Sequence, residues 1–207
     1  MAGIASETIR LNMFRIGVLT SGQSRGSNLE AMAEYFRAQQ LPVQVCFVIK
    51  TVSDAPVQNV CERLNLTCLY LPYRKREEFE EKVLQLVSDN DLHLLVLAGF
   101  LKRLSPEFLQ KIKLPILNIH PALLPKYGGE NMYGMKVHEA VFAAKEKESG
   151  VSVHLVDTVY DHGPIIFQKK VDISQCKSPE EIAEKVLAVE HQIYGKAIWD
   201  FLTRYCT

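Results

Sequence analysis

Phe14-Arg15-Ile16-Gly17-Val18-Leu19-Thr20, followed by Ser21-Gly22, decides the fold class. The run is short, rich in branched apolar side chains and closed by a Ser-Gly pair, the pattern of a buried strand entering a glycine turn. A helix is expected next: Gly26-Ser27-Asn28-Leu29-Glu30 offers a cap with Glu30 three residues after Ser27, and Leu29, Met32, Ala33 and Phe36 then recur at helical spacing. The unit repeats as a strand at Val43 to Ile49, a helix near Ala55 to Leu64, a short strand at Cys68 to Leu71 and a helix near Arg76 to Ser88. Alternation of this kind means parallel strands joined by helical crossovers. The expected fold is therefore α/β: a three-layer, open, mostly parallel twisted sheet of Rossmann-like type, with helices on both faces.

The second half continues it. Leu92 to Ala98 is almost continuously apolar, as a central strand covered on both faces must be. Leu114 to His120 reads as a further strand. A Pro- and Gly-bearing stretch from Pro121 to Gly134 follows, then a helix near Lys136 to Lys145. Val151 to Val156 and Pro164 to Val171 are strand-like, and Asp157 to Gly163 between them suits a hairpin or crossover loop. Ser178-Pro179-Glu180-Glu181 opens the last long helix, with Ser178 as cap, Pro179 in the first turn and Glu181 completing a capping box. No internal repeat or linker divides the chain, so residues 1–207 are read as one domain. Met1 to Asn12 lacks the basic start and apolar core of a secretory signal and is read as a short, poorly ordered lead-in.

Composition narrows the function classes. With 47% hydrophobic and 23% charged residues, the 207-residue chain is ordinary globular material with enough length to bury a core. No stretch approaches the roughly 18 apolar residues of a membrane span. Lys plus Arg and Asp plus Glu are each 24, so no global field draws nucleic acid or an acidic membrane, and an anionic ligand must be held by local groups. The 5 cysteines are odd in number and form no C-x-x-C pair; a disulfide framework and a zinc site are not expected, and a reducing, cytoplasmic compartment is.

Three segments could carry chemistry. The loop Ser21 to Asn28 can bring backbone N–H groups of a helix start against a phosphate, or be a plain strand-to-helix turn; it matches neither G-x-G-x-x-G nor a P-loop. Asn118 and His120 share a strand face at a C-terminal strand end, where open α/β sheets bind ligands. An amide donor beside an imidazole suits a carbonyl oxygen that becomes negative on attack, and the alternative is a pair that simply satisfies itself. Asp161-His162-Gly163-Pro164 could place a carboxylate near His120, raising its pKa or orienting a proton-carrying water, or form an Asx-type turn. His138 and His154 lack compact metal-ligand spacing with His120, and His154 in an apolar strand reads as a satisfied core histidine. No metal is expected. Glu190-His191 could lie on a solvated helix face.

Taken together, the Gly26-Ser27-Asn28 loop, Leu97-Ala98-Gly99-Phe100, Asn118-Ile119-His120-Pro121-Ala122-Leu123-Leu124-Pro125, Ser152-Val153-His154 and Asp161-x-Gly-Pro resemble the folate-dependent formyltransferase family over about residues 14 to 203. The resemblance implies a catalytic trio of Asn118, His120 and Asp161, and 10-formyltetrahydrofolate as co-substrate. Its implied acceptor is phosphoribosylglycinamide, an intermediate of purine synthesis. It implies that Gly26, Ser27 and Asn28 hold the ribosyl phosphate and that Glu190 meets the glycinamide amine. Arg76, Leu101, Lys102, Arg103 and Leu104 would contact the folate together with Asn118, and Val156, Asp157, Thr158, Val159 and Tyr160 would form the other wall. Departures from the commonest family pattern are Gln23-Ser24-Arg25 inserted in the first loop, Lys50-Thr51 after the second strand, and Glu130-Asn131 in the long loop. Relatives that formylate a tRNA or hydrolyse the formyl-folate would be expected to carry a further domain. Another small amine acceptor, or a catalytically silent folate- or nucleotide-binding protein, remain the alternatives; a monomer or homodimer is expected.

Overall fold

The computed structural model describes residues 13–206; the expected lead-in Met1 to Asn12 lies outside them. In chain order the elements are β1 (Phe14–Thr20), α1 (Ser27–Ala38), β2 (Val43–Lys50), α2 (Val57–Leu64), β3 (Cys68–Tyr70), α3 (Arg76–Asp89), β4 (Leu94–Leu97), α4 (Pro106–Lys111), β5 (Ile116–His120), α5 (Met135–Ala143), β6 (Glu148–Leu155), β7 (Ile165–Asp172) and α6 (Pro179–Tyr205). One seven-stranded sheet has the order β3-β2-β1-β4-β5-β6-β7. The first five strands run parallel, while β6 and β7 are antiparallel to their neighbours and form a hairpin. The chain winds outward from β1 to β3 and returns to β4 on the other side of β1, so the ends of β1 and β4 bound a topological switch point.

The near-continuous apolar run of β4 is explained by the layers. Leu94 and Val96 join the apolar cluster under α1, α2 and α6, and Leu95 and Leu97 join the one under α3 and α4. Side chains alternate across a strand, so a sheet covered on both faces needs apolar residues at every position. Each such side chain contributes about 1.5–3 kcal/mol by leaving water.

Three local expectations are corrected. The cap of α1 is Gly26, with φ 79 and no side-chain cap bond, and Ser27 is already helical. A left-handed residue was needed there, and a Cβ at Gly26 would also stand 2.7 Å from Val57 Cγ2. Glu30, freed from capping, pairs with Arg63. In α6 the Ser178 hydroxyl does accept from Glu181 N, but Glu181 Oε2 accepts from Lys177 N at 2.8 Å rather than from the cap residue itself. Helix α4 was unforeseen. Its signal is Ser105-Pro106-Glu107: Ser105 Oγ accepts from Phe108 N, and buried Glu80 accepts from both Ser105 N and Ser105 Oγ at 2.6 Å.

Candidate active site

A cleft of about 690 Å³ opens at the C-terminal ends of β1, β4 and β5. Its walls are Ser21 to Ser24, Gly99 to Leu104, Asn118 to Pro121, Gly129 to Gly134 and Val156 to Asp161, with Asn28, His154 and Glu190 reaching it from α1, β6 and α6.

Strand alternation aims Asn118 and His120 together, as expected. His120 is 4% exposed. Its Nε2 lies 2.8 Å from the Tyr127 carbonyl and its Nδ1 3.4 Å from Asp161 Oδ2. A carbonyl only accepts, so Nε2 carries a proton and Nδ1 is the atom free to gain or lose one. Asp161 comes from the β6–β7 loop in the left-handed region, φ 54, a conformation that short polar Asp tolerates better than most residues. Its Oδ2 also accepts from Gly129 N at 2.9 Å.

Burial depresses the His120 pKa below the ordinary histidine value even though Asp161 and the Tyr127 carbonyl oppose it. The expected rise is therefore reversed: the carboxylate acts in the anticipated direction, but desolvation of a cation outweighs it. Burial pulls Asp161 upward, yet His154, His120 and the Gly129 N–H together hold its pKa below the usual carboxylate value. The site thus rests as a neutral imidazole beside an ionised carboxylate.

His154 is the buried, satisfied strand histidine that the sequence suggests, and its partners lie in the cleft: Nε2 lies 3.1 Å from Asn118 Nδ2 and 3.5 Å from Asp161 Oδ1, and Nδ1 2.8 Å from the Leu155 carbonyl. In a neutral ring Nδ1–H donates to Leu155 and Nε2 accepts from Asn118, which sets the direction of the amide. The signal is the antiparallel register that pairs Asn118 with His154, and that is invisible without the β5–β6 pairing.

Glu190 is not on a solvated face. It sits on the stripe of α6 that also buries Val186, Ile193 and Tyr194, 7% exposed, and accepts from Asn28 Nδ2 at 2.7 Å. Burial pushes its carboxyl up to about 7, with the Asn28 amide opposing.

The other expected residues divide. Leu101 to Leu104 and Val156 to Tyr160 face each other across the cleft, and the Arg103 guanidinium lies 5.5 Å from the Tyr160 ring centre. Within the first of these segments, Leu101 N–H donates to Ser21 Oγ and the Arg103 carbonyl accepts from Tyr73. Of the three expected loop residues Asn28 lines the cleft and Gly26 and Ser27 do not; Ser21 to Ser24 line it beside Asn28. Arg76 stands apart, at the start of α3 beside a separate groove of about 550 Å³ between α3 and α4, 3.5 Å from Glu77.

An amide, an imidazole and an ionised carboxylate thus converge in a cleft at the switch point of an open α/β sheet, the place where such sheets bind ligands. The sequence profile of the formyl transferase family matches residues 14–198, and the chain belongs to that family. It is 33% identical over 189 residues to phosphoribosylglycinamide formyltransferase of Haemophilus influenzae, covering 90% of this chain and 86% of the relative. It is 31% identical over 188 residues to the chloroplastic phosphoribosylglycinamide formyltransferase of Arabidopsis thaliana, covering 89% of this chain but only 64% of that relative. The crystal structure of phosphoribosylglycinamide formyltransferase from Bacillus halodurans superposes with a TM-score of 0.81 at 31% identity, covering 92% of this chain and 96% of that one.

Proposed function

We propose that the protein transfers the formyl group of 10-formyltetrahydrofolate to the amine of phosphoribosylglycinamide. The observation that carries it is His120, with Nε2–H committed to the Tyr127 carbonyl and Nδ1 backed by Asp161, beside the Asn118 amide in the cleft. The amine nitrogen attacks the formyl carbon, and the carbonyl oxygen becomes negative in front of the Asn118 N–H that His154 leaves free. The bond from that carbon to N10 then breaks as the carbonyl re-forms. The amine must lose one proton and N10 must gain one; His120 Nδ1 takes up the first and returns it to N10, and Asp161 stabilises the imidazolium in between. His154 holds the amide in the donating direction.

The cleft supports both ligands of this reaction. Apolar walls at Leu101 to Leu104 and Val156 to Tyr160, with backbone polar groups, suit a flat, polar-edged ring. Glu190 suits an amine, and the start of α1 with its loop suits a phosphate. The test is to mix the purified protein with 10-formyltetrahydrofolate and phosphoribosylglycinamide and follow the folate absorbance. Acceptor-dependent turnover is expected; folate hydrolysis at the same rate without acceptor, or no turnover, overturns the proposal.

A further inference from the structure

We propose that Ser21 is a positioning residue that ties the acceptor-side loop to the co-substrate-side loop, so that one hydroxyl sets both subsites. The reason lies in the topology. β1 and β4 run side by side up to Leu19 and Leu97, and Ala98 N still donates to the Leu19 carbonyl at 3.0 Å. Beyond that point their continuations part: the chain after β1 enters α1 on one face of the sheet, and the chain after β4 leads to α4 on the other. A backbone ladder cannot follow strands that diverge.

Ser21 makes the last backbone bond between the two and adds a side-chain tie. Its N–H donates to the Gly99 carbonyl at 3.2 Å, its hydroxyl donates to the same carbonyl at 3.3 Å, and its Oγ accepts from Leu101 N at 2.7 Å. Ser21 is 3% exposed, so its hydroxyl is held by these protein partners. The other anchors of the two loops each serve one side only. Thr51 Oγ1 accepts from Gly22 N at 3.2 Å and holds the first loop, while Tyr73 OH donates to the Arg103 carbonyl and holds the second. Ser21 alone among these three contacts both.

The proposal rests on the formyl-transfer function only for its kinetic arm, so a structural arm is measured first on the ligand-free protein. Ser21→Ala, Thr51→Val and Tyr73→Phe are compared with the parent by amide hydrogen exchange. Ser21→Ala speeds exchange roughly tenfold at Leu101, whose N–H loses its acceptor, and measurably across both 21–26 and 99–104, because the Ser21 N–H to the Gly99 carbonyl is then the one bond from this residue that still joins the two segments. Thr51→Val acts on the first segment and Tyr73→Phe on the second. Unchanged exchange in either segment of Ser21→Ala overturns the proposal, whatever the protein's activity. In turnover, Ser21→Ala raises KM for acceptor and for co-substrate together by roughly tenfold, with a smaller change in kcat, while the other two variants each raise one KM. A merely destabilising change would lower the active fraction and leave both KM values alone, and that result also overturns it. If Ser21→Ala does not fold, Ser21→Cys, whose thiol bonds more weakly, is read the same way. Absence of turnover in the parent refutes the function and leaves the exchange result to decide on Ser21.

Discussion

Replacing Glu190 by Gln tests the reading of its buried carboxyl as the group that meets an amine. In the fold the carboxyl ionises near 7, against 4.5 for the ordinary group. As pH rises through this window the unfolded chain releases the proton first, so the folded state holds more protons and stability falls; above about pH 7 the loss is complete and the curve is flat. A shift of this size makes the Glu190 contribution to the loss between pH 5 and pH 8 roughly 2–3 kcal/mol. Glu190→Gln cannot ionise and abolishes that part of the slope. Urea unfolding of parent and variant at pH 5, 6, 7 and 8 gives the difference directly, because every other group titrates alike in the two proteins. The variant is expected to match the parent more nearly at pH 5 and to exceed it by the stated amount at pH 8, about 4–12 °C in Tm for a chain of this size. The ionised carboxylate is also the stronger acceptor for an amine N–H, so acceptor KM falls in the parent as pH rises through 7 and is raised and insensitive to pH over that range in Glu190→Gln. Parallel stability curves for the two proteins would refute the reasoning.

Asp161→Asn keeps a residue that tolerates φ 54 and removes only the charge behind Nδ1, so kcat drops about 10²–10⁴-fold with little change in co-substrate KM; steady-state kinetics decides, and His120→Ala is expected to fall likewise. Gly128→Ala would press a Cβ against Leu124 Cδ2 and within 3.1 Å of Asp161 Cβ, so it lowers kcat by displacing the carboxylate; turnover at unchanged Tm checks this. Gly163→Ala would drive a Cβ into the Leu155 carbonyl and costs about 3 kcal/mol or more in denaturant unfolding, since backbone has to shift. Glu80→Ala strands Ser105 N and Oγ and costs about 1–3 kcal/mol, with activity kept in the remaining folded protein.

The fold was legible where the pattern was local. The β1 run, the unbroken apolar β4 and the Ser178-Pro179 start of α6 all describe their own burial or capping, because period and cap chemistry act within a few residues. Gly26 was taken for part of a cap box because its left-handed angle answers to the approach of Val57, a residue from another helix. Apart from the family resemblance, Glu190 was readable as half of an ambiguous polar pair, since its burial depends on how α6 lies against α1 and the sheet.

The site shows the same division. Sequence by itself determined that Asn118 and His120 face one way, because two residues on a strand always do, and its motifs pointed to Asp161 as their partner. Only the tertiary structure decided what those groups are. The antiparallel β5–β6 register brings His154 to the Asn118 amide. The Tyr127 carbonyl takes the Nε2 proton and leaves Nδ1 to act. Burial turns the expected rise in the His120 pKa into a fall and lifts Glu190 to about 7. Desolvation is a property of everything packed around a group, and no short stretch of chain contains it.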